Sequence, residues 1–146
     1  MKTILFVCTG NTCRSPMAAC LMNRLLKEWG FTGWQAVSAG AAAYEGQPAS
    51  QGALRAMERR GLSLAAHRSR NVTRALLDTT DYLICISRRH LELLGGTFGK
   101  LPPSLAIQPG VPDPFGGSDR EYEACAVMLE ALLPSLLSTL EKAGTR

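Results

Sequence analysis

Cys8 and Arg14 are separated by five residues in the stretch ILFVCTGNTCRSPMA, where an apolar run meets a short polar loop and then a helical pattern. A loop of that length closing on a helix N-terminus can turn its backbone N–H groups inward and cradle an anion. Thr9, Gly10, Asn11, Thr12 and Cys13 would form its wall. Gly10 supplies conformational freedom, and Asn11 is one of the few other residue types that tolerate positive φ. Arg14 adds a planar, bidentate donor matched to phosphate oxygens. The same cradle and the helix dipole favour the thiolate form of Cys8, and the Ser15 hydroxyl can donate a hydrogen bond to that sulfur. A thiolate aimed at the phosphorus of a bound phosphate is a nucleophile for covalent phosphoryl transfer.

Such a transfer also needs a proton donor for the leaving group. The stretch VPDPFGGS, residues 111–118, offers Asp113 on a loop whose flanking prolines restrain the carboxylate. The reaction requires no metal and no cofactor, because Arg14 and the loop amides balance the charge that a metal balances elsewhere.

The elements that must position these groups follow from periodicity. Residues 3–7 are a continuous apolar run, the pattern of a strand covered on both faces. Ser15 as N-cap and Pro16 at the first helical position open a helix with Met17, Leu21 and Leu25 on one face, stopped at Gly30. A second strand over 34–38 ends at Ala39-Gly40. A helix opened by Pro48, with Leu54 and Met57 inward, closes at Gly61. A short helix is expected around 74–77, with Asp81 starting the next strand over 82–86. Ser87 caps a helix ended by Gly95-Gly96, and 105–108 forms a fourth strand. From Asp119 the residues Tyr122, Cys125, Leu129, Leu132, Leu136 and Leu140 give a long amphipathic stripe, with a kink expected at Pro134. Strands alternating with helices predict an α/β fold: one domain over 1–146, a doubly wound four-stranded parallel sheet with helices on both faces. In such sheets ligands bind beyond the carboxyl ends of the strands, which brings Cys8 and Asp113 to the same edge.

Composition narrows the class. The 146 residues suit one core, and 46% hydrophobic with 19% charged residues describes a globular chain. A net charge of +4 favours anionic substrates, but the cations are scattered and aromatics are only 6%, so no nucleic-acid partner is expected. No apolar run approaches the roughly 18 residues of a membrane span, no leader-peptide pattern is visible, and no membrane partner is expected. Five cysteines without a zinc-type pair fit free thiols in a reducing cytoplasm.

VCTGNTCRSPMA, the SAG at 38–40 and DPFGGS together resemble the low-molecular-weight protein tyrosine phosphatase family, in order and spacing, over nearly the whole chain. The resemblance implies a phosphocysteine intermediate on Cys8 and phosphate binding by Arg14. It implies that Asp113 is first general acid and then general base. Asn11, Ser15 and Ser38 would keep the loop in shape, with His67 a further support. Members usually carry Ile or Leu at position 12; this chain has Thr12 and is similar there to the bacterial protein-arginine phosphatases. A smaller hydroxyl-bearing wall suits a planar phosphoguanidinium, on which Phe115 could stack. The implied partners are phosphorylated proteins, through phosphoarginine or, as the alternative, phosphotyrosine. Two family features are missing: the Glu often found after SPMA is Ala19, and of the paired regulatory tyrosines only Tyr122 is near.

Other readings compete residue by residue. Cys13 is either a packing residue or a disulfide partner of Cys8 under oxidation. Cys20, Cys85 and Cys125 lie on apolar faces and are expected in the core. Arg59, Arg60, Arg68, Arg70, Arg88 and Arg89 are expected as solvated surface charges. An arsenate-reductase-like redox enzyme needs a thiol near Cys85, and position 92 is Glu. A non-catalytic phosphate-binding module needs neither the thiol nor the acid.

Overall fold

The computed structural model describes residues 1–144, so the last two residues of the expected domain lie outside it. Four strands and five helices run in the order β1 (Lys2–Cys8), α1 (Arg14–Glu28), β2 (Trp34–Gly40), α2 (Gln51–Glu58), α3 (Arg74–Asp78), β3 (Tyr82–Cys85), α4 (Arg88–Phe98), β4 (Ser104–Ala106) and α5 (Asp119–Gly144). All strand pairs are parallel and the sheet order is β2-β1-β3-β4, the doubly wound fold expected. The chain steps from β1 to one side and then crosses to the other, so the loops diverge at the carboxyl end of β1, beside Cys8.

Alternation along β1 divides the core. Ile4, Phe6 and Cys8 face the layer formed with α1, α2 and α5; Leu5 and Val7 face the layer with Leu77 and Leu94. Both layers are buried, which is why β1 reads as an unbroken apolar run. Asp81 ties the start of β1 to β3: its carboxylate accepts from Thr3 N at 2.8 Å and its own N–H donates to the Thr3 carbonyl.

Several boundaries differ from expectation. Helix α1 starts at Arg14, with Cys13 at the cap position and no side-chain cap. Ser15 lies inside the helix because its hydroxyl is engaged by Cys8 and Asn11 instead. Helix α2 starts at Gln51 behind Ser50, not at Pro48, and presents Ala53, Ala56 and Met57 to the core while Leu54 is half-buried. Gly95 and Gly96 do not end α4; Gly99, at φ 70°, does, because the left-handed turn rather than a flexible residue stops a helix. Strand β4 is shorter than the expected 105–108, although Ile107 N still donates to Cys85 O before Pro109, which has no N–H to offer. On α5 the fully buried positions continue through Leu133 and Leu137, with Leu132 and Leu136 only partly covered. The helix runs past Pro134 to Gly144, and by length and composition alone (mean hydropathy 1.4) it passes for a membrane span, as the core helix of a globular protein can. Here its apolar stripe packs into the α1 and α2 layer of the core.

Arg60 is also not a free surface charge. It pairs with Glu123 at 2.6 Å and Glu130 at 3.0 Å, joining α5 to the turn after α2, and this holds the Glu123 carboxyl down at about 2. Cys20 is half-buried rather than a full core residue. Gly52 meets the flat face of Tyr122, where a Cβ would overlap the ring. Gly52→Ala is therefore expected to cost roughly 1–3 kcal/mol of stability by overpacking, read from urea unfolding; unchanged stability would show that α2 and α5 separate freely.

Candidate active site

Asn11 shapes the loop between β1 and α1. It is completely buried and is the residue with φ 57°, so the left-handed conformation falls on Asn11 and not on Gly10. A Cβ on Gly10 would meet only Thr12 Oγ1, at 4.0 Å. The tight approach is at Gly40, where a Cβ would sit 2.5 Å from Thr9 O. The Asn11 amide donates to Ser15 Oγ (2.9 Å) and Ser38 Oγ (3.0 Å), and its oxygen accepts from Arg70 N (3.0 Å). The Asn11 carbonyl accepts from His67 Nε2 at 2.7 Å, so Ser38 and His67 both brace the loop. Burial, with Arg70 and Arg68 nearby, pushes the His67 imidazole below its ordinary value even though that bond to Asn11 works the other way.

Cys8 is buried with Sγ 2.9 Å from Ser15 Oγ. Ser15 Oγ receives the Asn11 N–H, and its own proton has two acceptors in reach, the Cys8 sulfur and, at 3.4 Å, the Ala39 carbonyl. The N–H groups of residues 9–15 find no protein acceptor among the described residues, and α1 is uncapped, so the loop and helix end offer free donors. Arg14 lies across this opening. Its Nη1 donates to Val111 O at 3.0 Å, its Nη2 lies 3.5 Å from Asp113 Oδ2, and its buried Nε has no partner. An orphaned guanidinium donor beside unpaired amides fits a tetrahedral oxyanion. Asp113 is half-exposed, its Oδ1 accepting from Phe115 N at 3.1 Å.

These groups line one cavity of about 560 Å³, with Cys8 and Arg14 inside, Thr12 on the wall, and Asp113 and the exposed Phe115 at the mouth. Tyr44, 85% exposed, stands with Phe115 at the same mouth and was not singled out from the sequence. Cys13 turns away, its Sγ 3.0 Å from Ser50 Oγ and 3.4 Å from the Tyr122 hydroxyl; Cys8 and Cys13 are both free thiols. Ser50 also donates its N–H (2.9 Å) and hydroxyl (3.0 Å) to Thr12 O, tying the cradle to α2. Burial lifts the Cys85 and Cys125 thiols to about 12, so they are inert at neutral pH. Among the described residues no group of three or more His, Cys, Asp or Glu could hold a metal ion.

The second residue missed in the sequence is His90. It is buried, with Nε2 2.8 Å from Thr9 Oγ1 and Nδ1 2.8 Å from Ser87 Oγ, so α4 reaches back to the cradle. Ser87 in turn packs against Gly110, at the base of the Asp113 loop. The available signal was a histidine three residues after a helix-capping serine.

A family model described as low molecular weight phosphotyrosine protein phosphatase matches residues 3–146. The chain belongs to this family. It is 34% identical to a protein-arginine-phosphatase of Geobacillus stearothermophilus, over 94% of this chain and 95% of the relative. Two solved structures superpose with similar closeness. A YwlE arginine phosphatase mutant with a phosphorylated active-site serine gives a TM-score of 0.90 at 31% identity, over 96% of both chains. A low molecular weight protein tyrosine phosphatase from T. tengcongensis gives 0.89, also at 31%, over 95% of this chain and 99% of that one. This family member is thus a phosphatase, a hydrolase of phosphate esters or phosphoamides, and cysteine-based chemistry is general to the family.

Burial, with Arg14 and Arg89 nearby, lowers the His90 imidazole from 6.5 to about 4. The unfolded chain therefore takes up this proton first as pH falls. The His90 contribution to stability is complete above about pH 6.5 and is lost on the way to pH 4. His90→Gln should flatten the pH dependence of unfolding free energy across that window by on the order of 2 kcal/mol. Parallel curves for wild type and variant in urea titrations would show that His90 is not held neutral.

Proposed function

We propose that the protein is a protein-arginine phosphatase working through a phosphocysteine on Cys8. The loop amides of residues 9–13, Ser15 and Arg14 bind the phosphoryl group, and the unpartnered Arg14 Nε meets one of its oxygens. The Cys8 thiolate attacks phosphorus. The bond from phosphorus to the side-chain nitrogen breaks, and its electron pair stays on the nitrogen, which takes the proton of Asp113. Water then attacks the phosphocysteine and gives a proton to the Asp113 carboxylate. The sulfur–phosphorus bond breaks, returning the thiolate and inorganic phosphate. The phosphorylated serine in the related YwlE mutant supports phosphoryl transfer to the residue at the nucleophile position.

The observation that carries the arginine reading is Thr12 on the cavity wall. Overall likeness is neutral, because arginine and tyrosine phosphatase structures superpose equally well. A threonine leaves more room than Ile or Leu and offers a hydroxyl to a group rich in N–H donors. Asp113 can pair with the guanidinium while protonating it, and Phe115 with Tyr44 offers flat faces at the mouth. Those same aromatics would accept a phenol ring, which keeps phosphotyrosine in proteins as the second substrate. Free thiols at Cys8 and Cys13 suit a cytoplasmic, reducing setting.

In Cys8→Ser, turnover is expected to vanish while inorganic phosphate still binds by calorimetry; retained turnover would remove the thiolate from the mechanism. Wild type is expected to favour phosphoarginine over phosphotyrosine peptides by at least tenfold in kcat/KM, roughly 1.4 kcal/mol of transition-state preference. Thr12→Ile should reverse the order. A wild-type preference for phosphotyrosine of the same size would overturn the arginine assignment.

A further inference from the structure

Behind the cradle, on the far side of Asn11, lies a second cavity of about 700 Å³. Arg24, Lys27, Arg68 and Arg70 line it together with His67, and no Asp or Glu does. Among the described residues Lys27, Arg68 and Arg70 have no carboxylate within ion-pair distance, as is also true of Arg89 and Arg120 elsewhere; Arg68 Nη1 donates only to the Ala65 and His67 carbonyls. Arg24 is the exception in the cavity, held by Glu130 at 2.8 Å. Three unmatched cations facing one concavity leave a positive field that a bound anion would neutralise. Burial chiefly, and then Arg70 and Arg68, hold the His67 imidazole below its ordinary value. The remaining wall mixes apolar Val37, Leu62 and Leu64 with Ser38, Ser63 and Asn23, whose side chain is fixed by both hydrogen bonds of the Ala36 backbone. The volume suits a small molecule rather than a single ion.

We infer that this cavity is a second anion site, which takes a small phosphorylated molecule with two or more negative charges and an apolar body, of the nucleoside di- or triphosphate class. The charges meet Lys27, Arg68 and Arg70, and the apolar body lies on Leu62 and Leu64. Occupancy of this site does not depend on what the Cys8 site hydrolyses. It does reach that site. Arg70 donates its backbone N–H to Asn11 Oδ1 and its Nε to Ser38 O, and His67 donates to the Asn11 carbonyl. An anion drawing on Arg70 therefore bears on the residue that sets the cradle.

The test is a two-dimensional NMR titration of the whole protein with ADP, and separately with pyrophosphate, in wild type and in the double variant Lys27→Ala/Arg68→Ala. In wild type, ADP should shift the Lys27, Leu62 and Leu64 amides saturably, and the Asn11 side-chain amide with them. The double variant should keep its spectral dispersion and bind ADP at least tenfold more weakly at these positions. Inorganic phosphate shifts at Gly10 and Thr12 should be unchanged. Pyrophosphate should bind more weakly than ADP, because it lacks the apolar body. ADP shifts confined to residues 9–14, no saturation, or equal affinity in the double variant would overturn the site. Equal affinity for pyrophosphate and ADP would overturn the ligand class, and a static Asn11 resonance would overturn the coupling.

Discussion

The buried amide of Asn11 is the constraint on which the site depends. At φ 57° its backbone turns the loop, and its side chain then uses both N–H donors on Ser15 and Ser38 while its oxygen accepts from Arg70. One side chain therefore joins the end of β1, the start of α1, the end of β2 and the segment carrying His67 and Arg70. A buried polar network of this kind specifies one arrangement because any partial version leaves a polar group unpaired. Its chemical effect is indirect: by donating to Ser15, Asn11 holds that hydroxyl beside the Cys8 sulfur, and by fixing the turn it keeps the loop N–H groups free.

Arg14 supplies the second constraint, linking the cradle to the acid loop through Val111 O and Asp113. His90 and Ser87 make a parallel link on the β3 side, from Thr9 to the base of the same loop at Gly110. Cys8 and Asp113 thus sit on loops of two different strands yet share a common frame. Thr12, Phe115 and Tyr44 line the same cavity, on its wall and at its mouth.

Much of this was legible in sequence where the signal is local. The unbroken apolar run of β1, the spacing of Cys8 and Arg14, and the proline-bracketed Asp113 all report on a few neighbouring residues. The start of α1 misled for an instructive reason: Ser15 and Pro16 are good opening residues because most helices cap their first N–H groups, whereas this one leaves them open to an anion. The glycine pair 95–96 misled because helices stop where a left-handed residue is accommodated, and that residue is Gly99. Arg60 looked like surface charge because its two carboxylates come from α5, far along the chain.

The sequence by itself determined the order of elements, the α/β class and the pairing of a thiol with an arginine, because these rest on periodicity and spacing within a single turn or loop. Only the tertiary structure decided that His67 braces Asn11 across 56 residues and that His90 reaches Thr9 across 81. It also decided that Lys27, Arg68 and Arg70 line one cavity. Such meetings depend on how strands are ordered in the sheet and how helices lie on it, and a hydrogen bond between distant residues leaves no pattern in the residues beside either partner.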